Sequence, residues 1–170
     1  MAEPEFGEPV ANGEDTAPAV GVLSQYVKDL SFENPNAPAI YQVPSPNPSV
    51  DIQFNIGQGQ VGEEVYEVVL KIDARCNFGD QVAYVVDLSF AGLFGLRNIP
   101  ADQVDPFLLG EAPRILFPFA RRVLADAVRD GGFPPLMLEP IDFAGRYMQI
   151  AAQQQAEATG GQVGDQTGQA

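Results

Sequence analysis

Two adjoining segments of this chain alternate apolar and polar side chains with a period of two, a pattern that only strands can sort onto separate faces. Tyr66, Val68, Leu70, Ile72, Ala74 and Cys76 alternate with Glu67, Lys71, Asp73 and Arg75. Beyond Asn77-Phe78-Gly79-Asp80, Val82, Tyr84, Val86, Leu88 and Phe90 alternate with Gln81, Val85, Asp87 and Ser89. Successive side chains of a strand point to opposite faces, so each segment has one apolar and one wetter face. The Gly-containing turn between them predicts an antiparallel hairpin. Whatever else the chain does, it must cover a single apolar sheet face.

The flanking segments extend this sheet. Tyr26, Leu30 and Phe32 alternate with Val27, Asp29, Ser31 and Glu33, and Val50, Ile52, Phe54 and Ile56 alternate with Asp51, Gln53 and Asn55. Between these two strands, Pro35 to Pro48 holds five prolines together with Ile40, Tyr41 and Val43. A stretch so poor in backbone donors reads as a crossover loop, not a strand. After the hairpin, Ala101 to Gly110 reads as a short helical lead-in and Pro113 to Asp130 as the main helix, its first turn bent by Pro118. Leu116, Phe119, Ala120, Val123 and Ala127 share one face of that helix, and Gly131-Gly132 ends it. Phe133 to Ile141 carries three prolines and is expected to be extended, with Asp142 as N-cap of a helix bearing Phe143, Tyr147, Ile150 and Ala151. Strands followed by helices predict an α+β fold: a four-stranded antiparallel sheet, Greek-key-like with a long proline-rich crossover, a long helix and a shorter C-terminal helix.

Composition narrows the functions open to such a fold. The 170 residues, 45% hydrophobic, suit one domain, expected over 22–155, between an acidic disordered tail over 1–21 and a flexible polar tail over 156–170. Nine Lys+Arg against 23 Asp+Glu give a net charge of −14, which disfavours nucleic acid and anionic lipid and favours basic partners. No His and one Cys, Cys76, exclude His-based triads, most zinc sites and an internal disulfide. Five acids and no base in the first 20 residues are the reverse of a secretory signal, and no apolar run approaches the roughly 18 residues that span a bilayer, so a cytoplasmic protein without direct membrane insertion is expected. Asp51, Asp73 and Asp80 lie in different strands or turns, with no Gly-rich phosphate loop, GxSxG elbow or D-x-D signature beside them. No enzymatic activity, cofactor or metal is expected.

Two surface features remain. Four strands and one main helix offer few coverings for the apolar residues present, so the Tyr41 loop and the Phe143/Tyr147/Ile150 stripe imply an oligomer interface, a client groove or both, against simple packing within one monomer. Asp29 and Glu33 share one side of the first strand, and Val85 and Asp87 the outward side of the fourth. These form either an acidic patch with a small apolar centre or an ordinary solvated sheet face.

The wording of three segments resolves this further. ILFPFARRVLADAVRDGGFPPLMLEPIDF (Ile115 to Phe143), YEVVLKI (Tyr66 to Ile72) and KDLSFENPNAP (Lys28 to Pro38) resemble the SecB family of bacterial protein-export chaperones, over about Tyr26 to Gln155. The resemblance implies an ATP-independent chaperone that keeps unfolded preproteins export-competent and delivers them to the SecA motor ATPase. It implies a homotetramer, a dimer of dimers, with Val86, Leu88 and Phe90 supporting assembly. It places client contacts at Tyr41, Pro44, Val50, Ile52, Phe54 and Tyr147, and SecA contacts at Asp29, Glu33, Val85 and Asp87. Where the family often has a tryptophan in the crossover loop, this chain reads Val43-Pro44-Ser45-Pro46. Asp87 stands where many members have Glu, and the tail from Gly160 offers no residue matching the family's second contact with SecA. SecB-like proteins also serve as chaperones dedicated to one antitoxin, the alternative client class.

Overall fold

The computed structural model describes residues 16–44 and 46–160, so the expected tail positions 1–15 and 161–170, and Ser45, lie outside the described residues. Four long strands, β1 (Ala19–Glu33), β2 (Pro48–Gly62), β3 (Val65–Phe78) and β4 (Gln81–Arg97), form one antiparallel sheet in the order β1-β4-β3-β2. Both β1 and β2 are therefore edge strands, and the crossover from one edge to the other runs through a 3₁₀ turn at Ala39–Gln42. Helical structure is continuous from α1 (Ala101–Pro106) through a π-helical turn at Phe107–Glu111 into α2 (Ala112–Asp130). The expected lead-in and main helix are thus one rod, and Pro118 lies inside α2 beyond its first turn. An extended connector then leads to α3 (Phe143–Gly160). Among the described residues, regular structure runs from Ala19 to Gly160.

The central hairpin follows its alternation. Val68, Leu70, Ile72, Ala74 and Cys76 of β3 and Tyr84, Val86, Leu88 and Phe90 of β4 form a fully buried face. Against it pack Leu116, Phe117, Ala120, Leu124 and Val128 of α2, with Ile40 from the crossover and Phe133, Leu138 and Phe143 from the connector and α3. The helix can approach this closely because of Gly92: a Cβ there would stand 2.7 Å from Leu116 Cδ2 and 2.9 Å from Phe94 Cε2.

Three expectations are corrected by register and rotation. β1 bulges at Lys28, so Tyr26 pairs with Ala91 and Leu30 with Leu88, on opposite faces. Tyr26 accordingly faces outward, and Val27, opposite Phe90, turns to the helix side. In β4, a register shift beside Cys76 pairs Val82 with Asn77, off the inner face. On α2, the buried stripe contains Leu116 and Ala120 but otherwise runs through Phe117, Leu124 and Val128, leaving Phe119 45% exposed. Both stripes recur at helical spacing, and sequence alone does not say which one the sheet takes.

Val86, Leu88 and Phe90, expected to support assembly, are 0%, 1% and 5% exposed within the single chain. Their side chains pack into the chain's own core. The uncovered apolar surface lies elsewhere: Val20, Val22, Val27 and Leu30 sit on the helix side of β1, and all are exposed, as is Phe119.

Candidate functional site

Edge strand β2 carries the candidate site because its inner face is only partly roofed. Ile52, Phe54 and Ile56 pair with Ala74, Ile72 and Leu70, which fixes them on the core side, yet each remains half-buried. Asp142 caps α3, its Oδ1 accepting from the Gly145 N–H at 3.0 Å. That cap sets the angle at which α3 departs past β2. Gln58 Nε2 donates to Asp105 Oδ1 at 3.3 Å and ties β2 to α1.

Two apolar clefts open between these elements. One of about 290 Å³ is walled by Phe54, Ile56, Leu109, Tyr147 and Ile150, with Asp105 and Arg146 at its rim. The other, about 420 Å³, lies between Ile52 and Phe54 on one side and Leu136, Met137 and Ile141 of the connector on the other. Phe54 belongs to both, so the clefts are two stations along one groove. Volumes of this size take one or two large side chains each, and the adjacent open edge of β2 offers backbone groups to an extended segment.

Of the six residues expected to contact clients, Ile52, Phe54 and Tyr147 line these clefts. Val50 shares their face of β2 and is 40% exposed, but lines neither cleft. Tyr41 and Pro44 stand apart from both. The Tyr41 hydroxyl donates to the Gly131 carbonyl at 2.7 Å and accepts from Asn34 Nδ2 at 2.5 Å, while its ring packs 5.5 Å from Phe133. These contacts close the C-terminal end of α2, where helix carbonyls lack intrahelical donors. A Cβ on Gly131 would collide with the Phe32 ring, so the glycine is required for this approach. The connector residues Leu136, Met137 and Ile141 were not singled out by sequence; their signal was an apolar stretch between prolines that has no helical partner stripe.

The opposite face of the sheet is acidic. Cross-strand rows place Asp51, Arg75, Val85 and Glu33 side by side, then Gln53, Asp73, Asp87 and Ser31, then Asn55, Lys71, Ser89 and Asp29. The four expected positions Asp29, Glu33, Val85 and Asp87 are thus brought together, and Asp51 and Asp73 join them. A shallow depression of about 200 Å³ lies among Asp51, Asp73, Arg75, Val85 and Asp87. Partial burial, reinforced by the Asp73 and then the Glu33 carboxylates, pushes the Asp87 carboxyl above its usual range. At the far end of this face Tyr26 donates to Glu67, which also binds Lys28 at 2.6 Å. The Lys28 and Tyr26 hydrogen bonds hold the Glu67 carboxyl below the usual range, and the Glu67 acceptor pushes Tyr26 up to about 12.

Among the described residues no group of three or more Cys, Asp or Glu side chains could hold a metal ion, and no helix is long and apolar enough to cross a membrane. A half-covered sheet with an apolar groove beside an open strand edge defines a small α+β domain of the polypeptide-binding class. Comparison with known proteins then gives the family. Residues 13–155 match the family model described as preprotein translocase subunit SecB. The chain is 60% identical to the protein-export protein SecB of Rhizorhabdus wittichii over 92% of its length and 93% of the relative's. It is 63% identical to the protein of the same name from Sphingopyxis alaskensis, covering 91% of this chain and 87% of that one. The fold matches that of a Mycobacterium tuberculosis SecB-like chaperone solved with an antitoxin peptide, with a TM-score of 0.62 at 17% identity over 72% of this chain and 90% of that one. The chain belongs to the SecB family.

Proposed function

We propose that this chain is an ATP-independent cytoplasmic chaperone that binds unfolded precursor proteins, keeps them export-competent and delivers them to the SecA motor of the Sec translocase. The observation that carries the reading is the groove through Phe54, apolar on its walls and open along the β2 edge. Rigid aromatic and branched walls accept varied apolar side chains, and a strand edge bonds any backbone, so selection falls on unfoldedness and not on sequence. Ile52, Phe54 and Tyr147 form the client contacts, with Val50 extending the same face. Asp29, Glu33, Val85 and Asp87 form the SecA-docking face on the other side of the sheet, where a basic partner gains from charge complementarity.

A homotetramer, a dimer of dimers, is part of the same proposal. Its support is the row Val20, Val22, Val27 and Leu30 on β1 with Phe119 on α2, apolar surface that the described residues leave exposed. Several grooves in one assembly hold one client through many weak contacts, so release needs no nucleotide hydrolysis by this chain. Identity of 60% or more to protein-export relatives favours precursor clients over a single antitoxin.

Light scattering of the purified chain, alone and with a slowly folding precursor, tests assembly and capture together. A tetramer that forms a client complex without ATP is expected; a monomer indifferent to unfolded protein overturns the reading. Polar replacement of Ile52 and Phe54 should impair client holding and spare SecA binding, and charge reversal at Asp29 and Asp87 should do the opposite. If either pair weakens both activities equally in an intact assembly, the two-site assignment is wrong.

A further inference from the structure

Methionine is as a rule a core residue, yet Met137 and Met148 are 64% and 70% exposed, the highest values among the large apolar side chains of the described residues. The two differ in what they face. Met148 lies on α3 and lines neither of the apolar clefts. Met137 stands on the connector and lines both the cleft of Ile52 and Phe54 and, on its far side, a depression of about 270 Å³ walled by Pro118, Arg121, Arg122 and Arg129. No other described residue lines both. The backbone here is held in place: Arg121 Nη1 donates to the Leu138 carbonyl at 3.4 Å, Leu138 is buried, and Pro134, Pro135 and Pro140 fix φ on either side. What is free to move is the Met137 side chain, an unbranched thioether with three rotatable bonds.

Two environments of opposite polarity flank that side chain. On one side Ile52, Phe54, Leu136 and Ile141 offer apolar contact. On the other, Arg121 and Arg122 offer guanidinium donors, and the ion pairs of α2 among the described residues are made by Arg114 and Arg129 instead, with Glu111 and Asp126. A thioether, a weak acceptor, suits the first environment; a sulfoxide, polar and a far better acceptor, suits the second. We propose that Met137 is an oxidation site that sets how firmly the groove holds its clients: a peroxide converts the thioether to the sulfoxide, which turns from the apolar cleft toward the arginines and removes one wall of the client site. In that step a sulfur lone pair attacks one oxygen of hydrogen peroxide and the O–O bond breaks. The proton on the transferred oxygen passes to the departing hydroxide, giving water, so sulfur loses the two electrons that the peroxide gains. Cys76 does not compete, because it is 2% exposed and burial pushes its thiol up, away from the reactive thiolate. This rests on the client-groove reading above and adds redox control to it.

The test is fluorescence anisotropy of the full chain with one labelled peptide of apolar centre, before and after treatment with hydrogen peroxide, with peptide mapping by mass spectrometry to locate the added oxygen. The oxidised chain should bind about fourfold more weakly, the worth of one buried methylene, and methionine sulfoxide reductases should restore the affinity. The loss should persist in Met148→Leu and vanish in Met137→Leu, which nearly keeps the volume and cannot take up oxygen. Met137→Gln should reproduce it without oxidant. The melting midpoint should move by less than about 2 °C on oxidation, because Arg121 and Leu138 still anchor the connector. Sulfoxide at Met137 with unchanged affinity overturns the oxidation site and leaves the groove standing. So does an equal loss in Met137→Leu, or oxygen found at Met148 and not at Met137. If the reduced chain binds no such peptide, the groove reading falls and its redox control with it.

Discussion

Replacing Tyr41 by Phe separates two roles that the crossover loop has been given. Sequence assigns Tyr41 to the client wall, whereas the structure has its hydroxyl donating to the Gly131 carbonyl at 2.7 Å at the end of α2. Phe keeps the ring against Phe133 and removes that bond and the one accepted from Asn34 Nδ2, whose amide still reaches the Gly131 carbonyl at 3.4 Å, so the net loss is about one bond. A buried neutral hydrogen bond is worth a net of about 0.5–1.5 kcal/mol, and because Tyr41 is 50% exposed, water replaces part of it, so the lower half of that range applies. For a domain of this size each kcal/mol moves the midpoint by roughly 2–4 °C, so Tyr41→Phe should melt about 1–4 °C lower. Tyr41→Ala also strips the half-buried ring and should lose a further 1 kcal/mol or so. The assay is thermal unfolding at fixed protomer concentration, since assembly makes the midpoint concentration-dependent. Hydrogen exchange should report the same loss locally, at the Gly132 and Phe133 amides that bond Arg129 and Val128 carbonyls. Client affinity should change less than about twofold in Tyr41→Phe, given that the ring stays. A variant that melts like the parent but holds clients poorly would refute the capping argument and return Tyr41 to the groove.

Further outcomes follow from the packing and the charges. Gly92→Ala places a Cβ 2.7 Å from Leu116 in a core with no slack, and should cost about 1–3 kcal/mol in denaturant unfolding. Asp87→Asn should stabilise the fold at neutral pH: the native carboxyl titrates above its unfolded counterpart, so its ionised form opposes folding above that range, and the advantage of the variant should shrink as pH falls through the native pKa. The same variant should weaken SecA binding, and a loss of stability at neutral pH would contradict the assigned crowding by Asp73 and Glu33. Glu67→Gln should let Tyr26 ionise nearer the ordinary tyrosine range while Tyr84, pushed up to about 12 by burial, stays high; a phenolate absorbance titration in which nothing moves would break the Tyr26–Glu67 link. In the unaltered chain the Glu67 contribution is present above the ordinary glutamate range and lost as pH falls through its depressed native pKa.

How far the sequence foretold this molecule depends on whether a pattern has one physical solution. β3 and β4 were legible almost throughout because period-two alternation beside a Gly79 turn strongly restricts the register, and only Val82, at the irregularity beside Cys76, leaves the expected face. β1 was legible only in half: the bulge at Lys28 inserts one residue, flips the phase and sends Tyr26 to the opposite face from Leu30. No side chain in that stretch announces the bulge; it shows only when pairing with β4 is known. On α2 the difficulty was surplus, since two apolar stripes that share Leu116 and Ala120 fit the same period and the sheet takes the one that continues through Phe117, Leu124 and Val128. Val86, Leu88 and Phe90 are buried within the single chain because apolar residues on a central strand are claimed first by the chain's own helix. Ile52, Phe54 and Tyr147, singled out by the sequence reading, line the clefts, whereas the connector wall of Leu136, Met137 and Ile141 depends on how α2 and α3 position an otherwise featureless stretch.

The arrangement also constrains how holding and release relate. Ile52 and Phe54 point into the apolar groove, while Asp51 and Gln53, their immediate neighbours, point to the acidic face. Groove and acidic face are thus separated by one sheet, the thickness of a single backbone, and share the strand β2. A partner bound to the acidic face does not compete for the groove by overlap. It acts on clients through what it offers them directly or through the position of β2, whose free edge is bonded on one side only. Of the two routes the second is the more demanding, because β2 is paired to β3 along nearly its whole length and a shift in register would turn every groove residue to the other face. Under the proposed function a rigid β2 favours handoff by proximity: a partner gathered at one face would receive clients that dissociate segment by segment from many weak contacts at the other.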